Sequence, residues 1–181
     1  MSKGDVRRRL QEAALALFQE RGYDGTTATE IAARVGVTER TFFRYFASKR
    51  DVLFDEDALH EGLSAAIAEA SDGLSPMALL RRAFVSLIPL LERNRPLSEP
   101  ARAIIAVTPV LQERYLAKAA ATSMLLAEAL RMRGVDQDVA TLAAASGMGV
   151  IGQAMESWFN DPSAGLGQHL DRAFQAWSRL S

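Results

Sequence analysis

Apolar residues in this chain recur at spacings of three and four. No stretch sustains the apolar–polar alternation of a half-buried strand, so every segment reads as helix. From Val6 to Arg21 the inward face is Leu10, Ala13, Ala14, Leu17 and Phe18, and Gly22-Tyr23-Asp24-Gly25 forms a loop. Thr27 to Val35 follows, with Ile31, Ala32 and Val35 on one face; Thr27 and Glu30 have the spacing of a capping box, and Gly36 ends the helix. Thr38 caps a third helix that carries Thr41, Phe42, Tyr45 and Phe46. A fourth is expected from Ser48 to Ser71, with Val52, Leu53, Leu59, Leu63 and Ile67 inward.

Ser75-Pro76 is an N-cap followed by a first-turn proline, and Leu79, Leu80, Ala83, Phe84, Leu87, Ile88 and Leu91 give the fifth helix its face. Pro89 lies inside that pattern and predicts a kink or an early end, with a turn over Asn94 to Pro100 and a short helix to Val107. Thr108-Pro109 opens a long helix that Gly134 stops near Arg133. Asp136 starts the next, which runs to Asn160; Asp161-Pro162-Ser163 breaks it, and a last helix ends at Leu180. The expected fold is all-α, with about nine helices: three in an N-terminal head, one connecting, five in a body. No internal repeat or low-complexity segment stands out.

Residues 25–49, GTTATEIAARVGVTERTFFRYFASK, hold two short helices joined by a glycine turn. That pattern is a helix-turn-helix, whose second helix fits a DNA major groove. It places a DNA-binding domain at residues 1–48 and leaves 49–181 as a separate helical body.

Charge agrees with this division. Over the whole chain the net charge is −1. Residues 1–50 carry ten Lys or Arg against six Asp or Glu, while the rest carries 11 against 16. A basic head on an acidic body suits a protein that presents one end to a polyanion, although an ordinary solvated surface has the same look. Nearly half of the 181 residues are apolar, enough for a sizeable core, but no 18-residue apolar run is present and no membrane segment is expected. The basic N-terminus lacks the apolar stretch of a signal peptide, and a cytoplasmic location is expected. The chain has no cysteine, which excludes disulfides, thiolate nucleophiles and cysteine metal sites.

The stretch GTTATEIAARVGVTERTFFRYFASKRDVL, together with Ala13-Ala14-Leu15, Leu17-Phe18 and Arg21-Gly22-Tyr23, resembles the DNA-binding head of the TetR family of bacterial transcriptional regulators. The likeness covers residues 7–54. The run Arg40-Thr41-Phe42-Phe43-Arg44-Tyr45-Phe46 looks like an actinobacterial subgroup, some of whose members sense acyl-CoA thioesters or other lipophilic ligands. The resemblance implies backbone contacts from Thr27, Thr29, Tyr45 and Lys49. Thr38, Glu39, Arg40, Thr41, Arg44 and Tyr45 are the exposed positions of the recognition helix, and Arg40 and Arg44 stand one turn apart. Arginine donates two hydrogen bonds to guanine O6 and N7. At position 43 the family usually has tyrosine; Phe43 loses its hydroxyl and with it a phosphate contact, or touches sugar or a thymine methyl instead. Phe42 and Phe46 read as head core. Arg7, Arg8 and Arg9 form either a basic minor-groove arm or a merely soluble tail.

The resemblance also implies a homodimer formed by the last two long helices, with Ala144, Met148, Ile151, Met155, Phe174 and Trp177 as interface candidates. It implies a small lipophilic effector held inside the body, with fatty acyl groups such as an acyl-CoA, aromatic drugs and metabolites all left open. Leu63, Phe84, Ile88, Arg102, Ile104, Val107, Tyr115, Met124 and Met148 are its candidate contacts. Polar candidates there are few: His60, Arg81, Arg102, Thr108, Thr122 and Gln153.

Nothing points to catalysis, a cofactor or a metal. His60 and His169 lack ligand spacing, no phosphate loop or nucleophile elbow is present, and Asp55, Glu56 and Asp57 read as the acidic first half of helix four. The function expected is a repressor that binds a palindromic operator as a dimer and is released by its ligand. The alternatives are an activator or ligand-independent DNA binder, and a small-molecule-binding helical protein without specific DNA reading.

Overall fold

The computed structural model describes residues 3–54 and 57–180, which form eight α-helices and one 3-10 turn, with no strand among them. The helices are α1 Lys3–Arg21, α2 Ala28–Val35, α3 Glu39–Tyr45, α4 Asp57–Ala68, α5 Pro76–Val107, α6 Pro109–Met132, α7 Gln137–Asn160 and α8 Leu166–Trp177; the 3-10 turn is Lys49–Asp51. None of these helices is long and apolar enough to cross a membrane.

Two compact units divide the chain. The first takes residues 1–55 together with 94–117; the second takes 56–93 and 118–181. In the head unit, Leu10, Ala14, Leu17 and Phe18 of α1 pack on Ile31 and Ala32 of α2 and on Phe42, Phe46 and Val52. Ile104 of α5 packs against this same core. In the body unit, Leu63 and Ile67 of α4, Leu80 and Phe84 of α5, Leu126 and Leu130 of α6, Trp158 of α7 and Leu170 and Phe174 of α8 share one cluster. Gly147 lets α7 approach α5, since a Cβ there would lie 2.7 Å from Leu80 Cδ1. Glu92 Oε1 accepts from the Leu166 N–H at 3.0 Å and so caps α8, where Gly165 has no side chain to do it.

Two expectations about helix boundaries are corrected. The fourth helix does not begin at Ser48. The Ser48 hydroxyl donates to Asp51 at 2.6 Å and makes no cap bond, so a 3-10 turn forms there and α4 starts at Asp57. The acidic residues Asp55 and Glu56 lie outside the described residues, as does the side chain of Asp57. The fifth helix neither ends near Pro89 nor turns over Asn94 to Pro100: α5 continues for 32 residues through Pro89, Pro96 and Pro100. Each proline removes one helical N–H donor. The residues four positions earlier, Val85, Glu92 and Pro96, are all exposed, so water can serve their carbonyls. Apolar contacts from Leu87, Leu91 and Ile104 and the Arg95–Glu99 pair at 3.1 Å keep the helical period across the prolines. Among the described residues, eight α-helices therefore stand where about nine were expected.

Candidate DNA-recognition interface

Local capping rules set α2 and α3. The Thr27 hydroxyl accepts from the Glu30 N–H at 3.2 Å, and Glu30 Oε2 accepts from the Thr27 N–H at 2.8 Å, completing the capping box. Gly36 closes α2 at φ 77°, where an L side chain would be strained; Val37 N–H donates back to Ala32 and Gly36 N–H to Ala33. Thr38 then caps α3, its hydroxyl accepting from the Thr41 N–H at 3.2 Å.

The seven residues of α3 separate into faces. Phe42 is 0% exposed and anchors the helix in the head core, with Phe46 at 5.4 Å between ring centroids. Thr41 and Tyr45 are half-buried at the flanks, and Glu39, Arg40, Phe43 and Arg44 are exposed. The Thr41 hydroxyl lies 3.0 Å from that of Thr38, within the cap.

The basic residues of the head fall into two sets. One set holds the fold together. Arg34 grips Glu20 with two nitrogens at 2.9 and 2.7 Å, and that hydrogen bonding holds the Glu20 carboxyl below its ordinary pKa. Arg21 pairs with Glu30 at 3.1 Å and Arg8 with Glu12 at 2.9 Å. Arg9 donates to the Val35 carbonyl at 3.0 Å, and the Arg7 guanidinium stands 5.2 Å from the Phe46 ring centroid. Arg7, Arg8 and Arg9 all lie within α1, so this stretch is helical rather than a flexible arm or a loose tail.

Lys49 belongs to this first set too. Its Nζ donates to the Tyr23 and Thr26 carbonyls, both at 2.8 Å, and sits 3.9 Å from the Tyr23 ring centroid. Burial lowers the Lys49 pKa and raises that of Tyr23. Lys49 thus staples the loop between α1 and α2 to the turn after α3. The second set is Arg40, Arg44 and Arg50. Arg40 and Arg50 make no ion pair or hydrogen bond among the described residues, and Arg44 leans only on its neighbour Tyr45, 5.2 Å from the ring centroid.

The outward residues of α3 are therefore Glu39, two arginines that pair with no carboxylate among the described residues, and an exposed aromatic ring on a capped helix. Residues 10–55 match the family of bacterial regulatory proteins of the tetR type, and residues 74–180 match the MftR C-terminal domain family. The chain belongs to the TetR family. Its members are transcriptional regulators, not enzymes.

Among individual proteins, this TetR-family chain is 39% identical over 84 residues to the transcriptional regulator TcmR of Streptomyces glaucescens, a match covering 46% of the chain and 37% of TcmR. It is 26% identical over 169 residues to MftR of Mycobacterium tuberculosis, named as a candidate regulator of mycofactocin biosynthesis, covering 91% of the chain and 85% of MftR. FadR of Thermus thermophilus, a TetR-family repressor solved with lauroyl-CoA, superposes with a TM-score of 0.56 at 28% identity, over 93% of this chain and 91% of that one.

The remaining sequence-derived candidates occupy varied environments. Thr29 is exposed on α2. Of the effector candidates, Leu63 and Phe84 lie in the body core, with Ile88 and Met148 packed against it and Met124 73% exposed. Arg102, Ile104, Val107 and Tyr115 belong to the head unit, Val107 and Tyr115 on its surface. Two hollows on the body unit are lined mostly by other residues: one of about 360 Å³ by Met77, Trp177 and the polar candidate Arg81, one of about 710 Å³ by Ala65, Leu125 and Met132. His60 Nε2 and the Thr122 hydroxyl, two of the sparse polar candidates, meet at 2.9 Å. Of the dimer candidates, Ala144 and Phe174 are buried in their own subunit, while Met148, Ile151, Met155 and Trp177 are half-buried. The outward face of α7 is instead Leu142, Ala145, Gly149 and Gly152, which spacing alone did not distinguish from the inward one.

Proposed function

We propose that this chain is a cytoplasmic, homodimeric repressor that binds a palindromic operator and is released by a lipophilic effector of the acyl-thioester class. The observation that carries the DNA reading is the exposed Arg40–Phe43–Arg44 surface on a capped and core-anchored α3. A single seven-residue helix reads only a few base pairs, and two copies related by a two-fold axis read two half-sites one helical turn apart. In this reading Thr27, Thr29, Thr38, Thr41 and Tyr45 approach the DNA backbone, Arg40 and Arg44 reach guanine edges or phosphates, and Lys49 acts chiefly by positioning the loop beneath them. Residues 1–48 serve as the DNA-binding part and 49–181 as the part that dimerises and binds effector.

The effector class is supported by FadR, which is similar over nearly the whole chain and was solved with lauroyl-CoA. It is supported as well by the apolar character of Leu63, Phe84, Ile88 and Met148. Release requires the effector to bind the DNA-incompetent state more tightly, and a factor of about 10⁴ carries the balance from 1:99 to 99:1.

The test is selection of binding sites from random duplexes at about 150 mM salt, where nonspecific phosphate binding is suppressed. The selected duplex is then titrated with lauroyl-CoA. A palindrome that is released by the thioester is the expected result. Failure of any sequence to enrich would sink the operator reading. An operator affinity unchanged at saturating lauroyl-CoA would sink the effector class alone.

A further inference from the structure

The exposed surface of α3 is two strips rather than one. Residues four apart lie one turn above each other on a helix. Glu39 and Phe43 form one exposed strip, Arg40 and Arg44 the next. Their chemistry differs completely. A strip whose only charge is a carboxylate is repelled by phosphate, so where it meets DNA the base edges suit it better than the backbone, which is left to the guanidinium strip.

Phe43 stands in the middle of the first strip. Its ring is 48% exposed yet held in place: it meets the Phe42 ring edge-on at 5.4 Å and 86°, and Phe42 is fully buried. A ring so fixed loses little rotamer freedom on binding. It has no donor or acceptor, so it can satisfy neither a phosphate nor the polar edge of a base. Of the groups that base pairs present in the major groove, the thymine 5-methyl is the apolar one.

We propose that Phe43 is a specificity-determining residue that reads the 5-methyl group of one thymine in each half-site. This rests on the DNA reading proposed above. Sugar carbons occur at every nucleotide and would give the ring affinity without sequence preference. A methyl group gives it sequence, and the carboxylate beside it keeps the ring away from the phosphates.

The test replaces each thymine of the selected operator in turn by deoxyuridine, which removes the methyl group and keeps every hydrogen bond. The native protein is expected to lose about fourfold in affinity for a replacement at one position in each half-site, a single symmetric pair across the operator, the factor carried by burial of one methyl group. Phe43→Ala is expected to bind the thymine and deoxyuridine duplexes equally, and Phe43→Leu to retain part of the preference. Unchanged circular dichroism of both variants separates this from a folding defect, which would weaken both duplexes alike. The assignment is overturned if no thymine position responds in the native protein, or if Phe43→Ala and Phe43→Leu keep the full native ratio. Absence of any sequence-specific duplex would overturn the DNA reading itself, an outcome visible before deoxyuridine is introduced.

Discussion

Arg114 of α6 and Asp51 of the 3-10 turn after the recognition helix form an ion pair at 2.6 Å, although 63 residues separate them. The Asp51 side chain is only 12% exposed, and its other oxygen accepts from the Ser48 hydroxyl at 2.6 Å. Both partners belong to the head unit, so the pair ties residues 94–117 to the end of the helix-turn-helix. Arg114→Ala strips a poorly hydrated carboxylate of its guanidinium, which costs about 1–3 kcal/mol. Urea unfolding is expected to show a lower midpoint, with Arg114→Lys recovering only part, because an ammonium lacks the planar fork. A midpoint unchanged in Arg114→Ala would mean that the pair contributes nothing to the head.

The sorting of head arginines predicts opposite behaviour for two of them. Arg40 has no ion-pair partner among the described residues, whereas Arg34 is engaged by Glu20 through two nitrogens. If Arg40 meets a phosphate, Arg40→Ala lowers the slope of log affinity against log salt by about one and leaves stability within about 0.5 kcal/mol. If it meets guanine instead, preference at one base pair relaxes and the slope holds. Arg34→Ala is expected to change neither slope nor sequence preference. Equal effects of the two substitutions on operator binding would undo the distinction.

The head was legible because its determinants are local. Thr27 with Glu30, Gly36, Thr38 and the buried Phe42 each obey a rule that spans four residues or fewer. The features that escaped the sequence are contacts with no fixed spacing. Lys49 clamps carbonyls 23 and 26 residues earlier, and Arg34 finds Glu20 fourteen residues away. The course of α5 escaped for a different reason: proline is a sound local breaker, but packing on both sides of Pro89, Pro96 and Pro100 outweighs it. The inward and outward faces of α7 were confused because alanine and glycine occur on both.

Acid should weaken the head through Glu30. Its carboxylate accepts from the Thr27 N–H at 2.8 Å and the Thr27 hydroxyl at 2.9 Å, and pairs with Arg21. These bonds, the backbone one first, hold its pKa below the ordinary glutamate value. The folded state therefore binds this proton less tightly than the unfolded chain does. The stabilisation is fully present above the unfolded pKa and is lost as pH falls through the lowered one. Thermal midpoints are expected to drop between about pH 5 and pH 3, and Glu30→Gln to flatten part of that drop. Glu20, lowered by Arg34, keeps some of it in place. An identical profile in Glu30→Gln would show that the capping box does not titrate in this way.

In the dimeric reading proposed above, Gly149 and Gly152 mark the face on which a second copy is expected to dock. Both are exposed on α7, and a Cβ added to either meets no atom within 4 Å. With Leu142, 69% exposed, and Ala145 they make a face of small and apolar residues at spacings of three and four. In an isolated helix facing water, Gly→Ala stabilises by about 1 kcal/mol, because glycine has more backbone freedom to lose. If a partner's α7 packs there, the glycines instead permit a close approach that larger side chains prevent. Gly149→Leu is then expected to keep the helical content of the native protein and to sediment as a monomer. Operator affinity should fall with it, since a monomer reads one half-site. A variant that remains dimeric, carrying leucine at both positions, would place the interface on another face of the body.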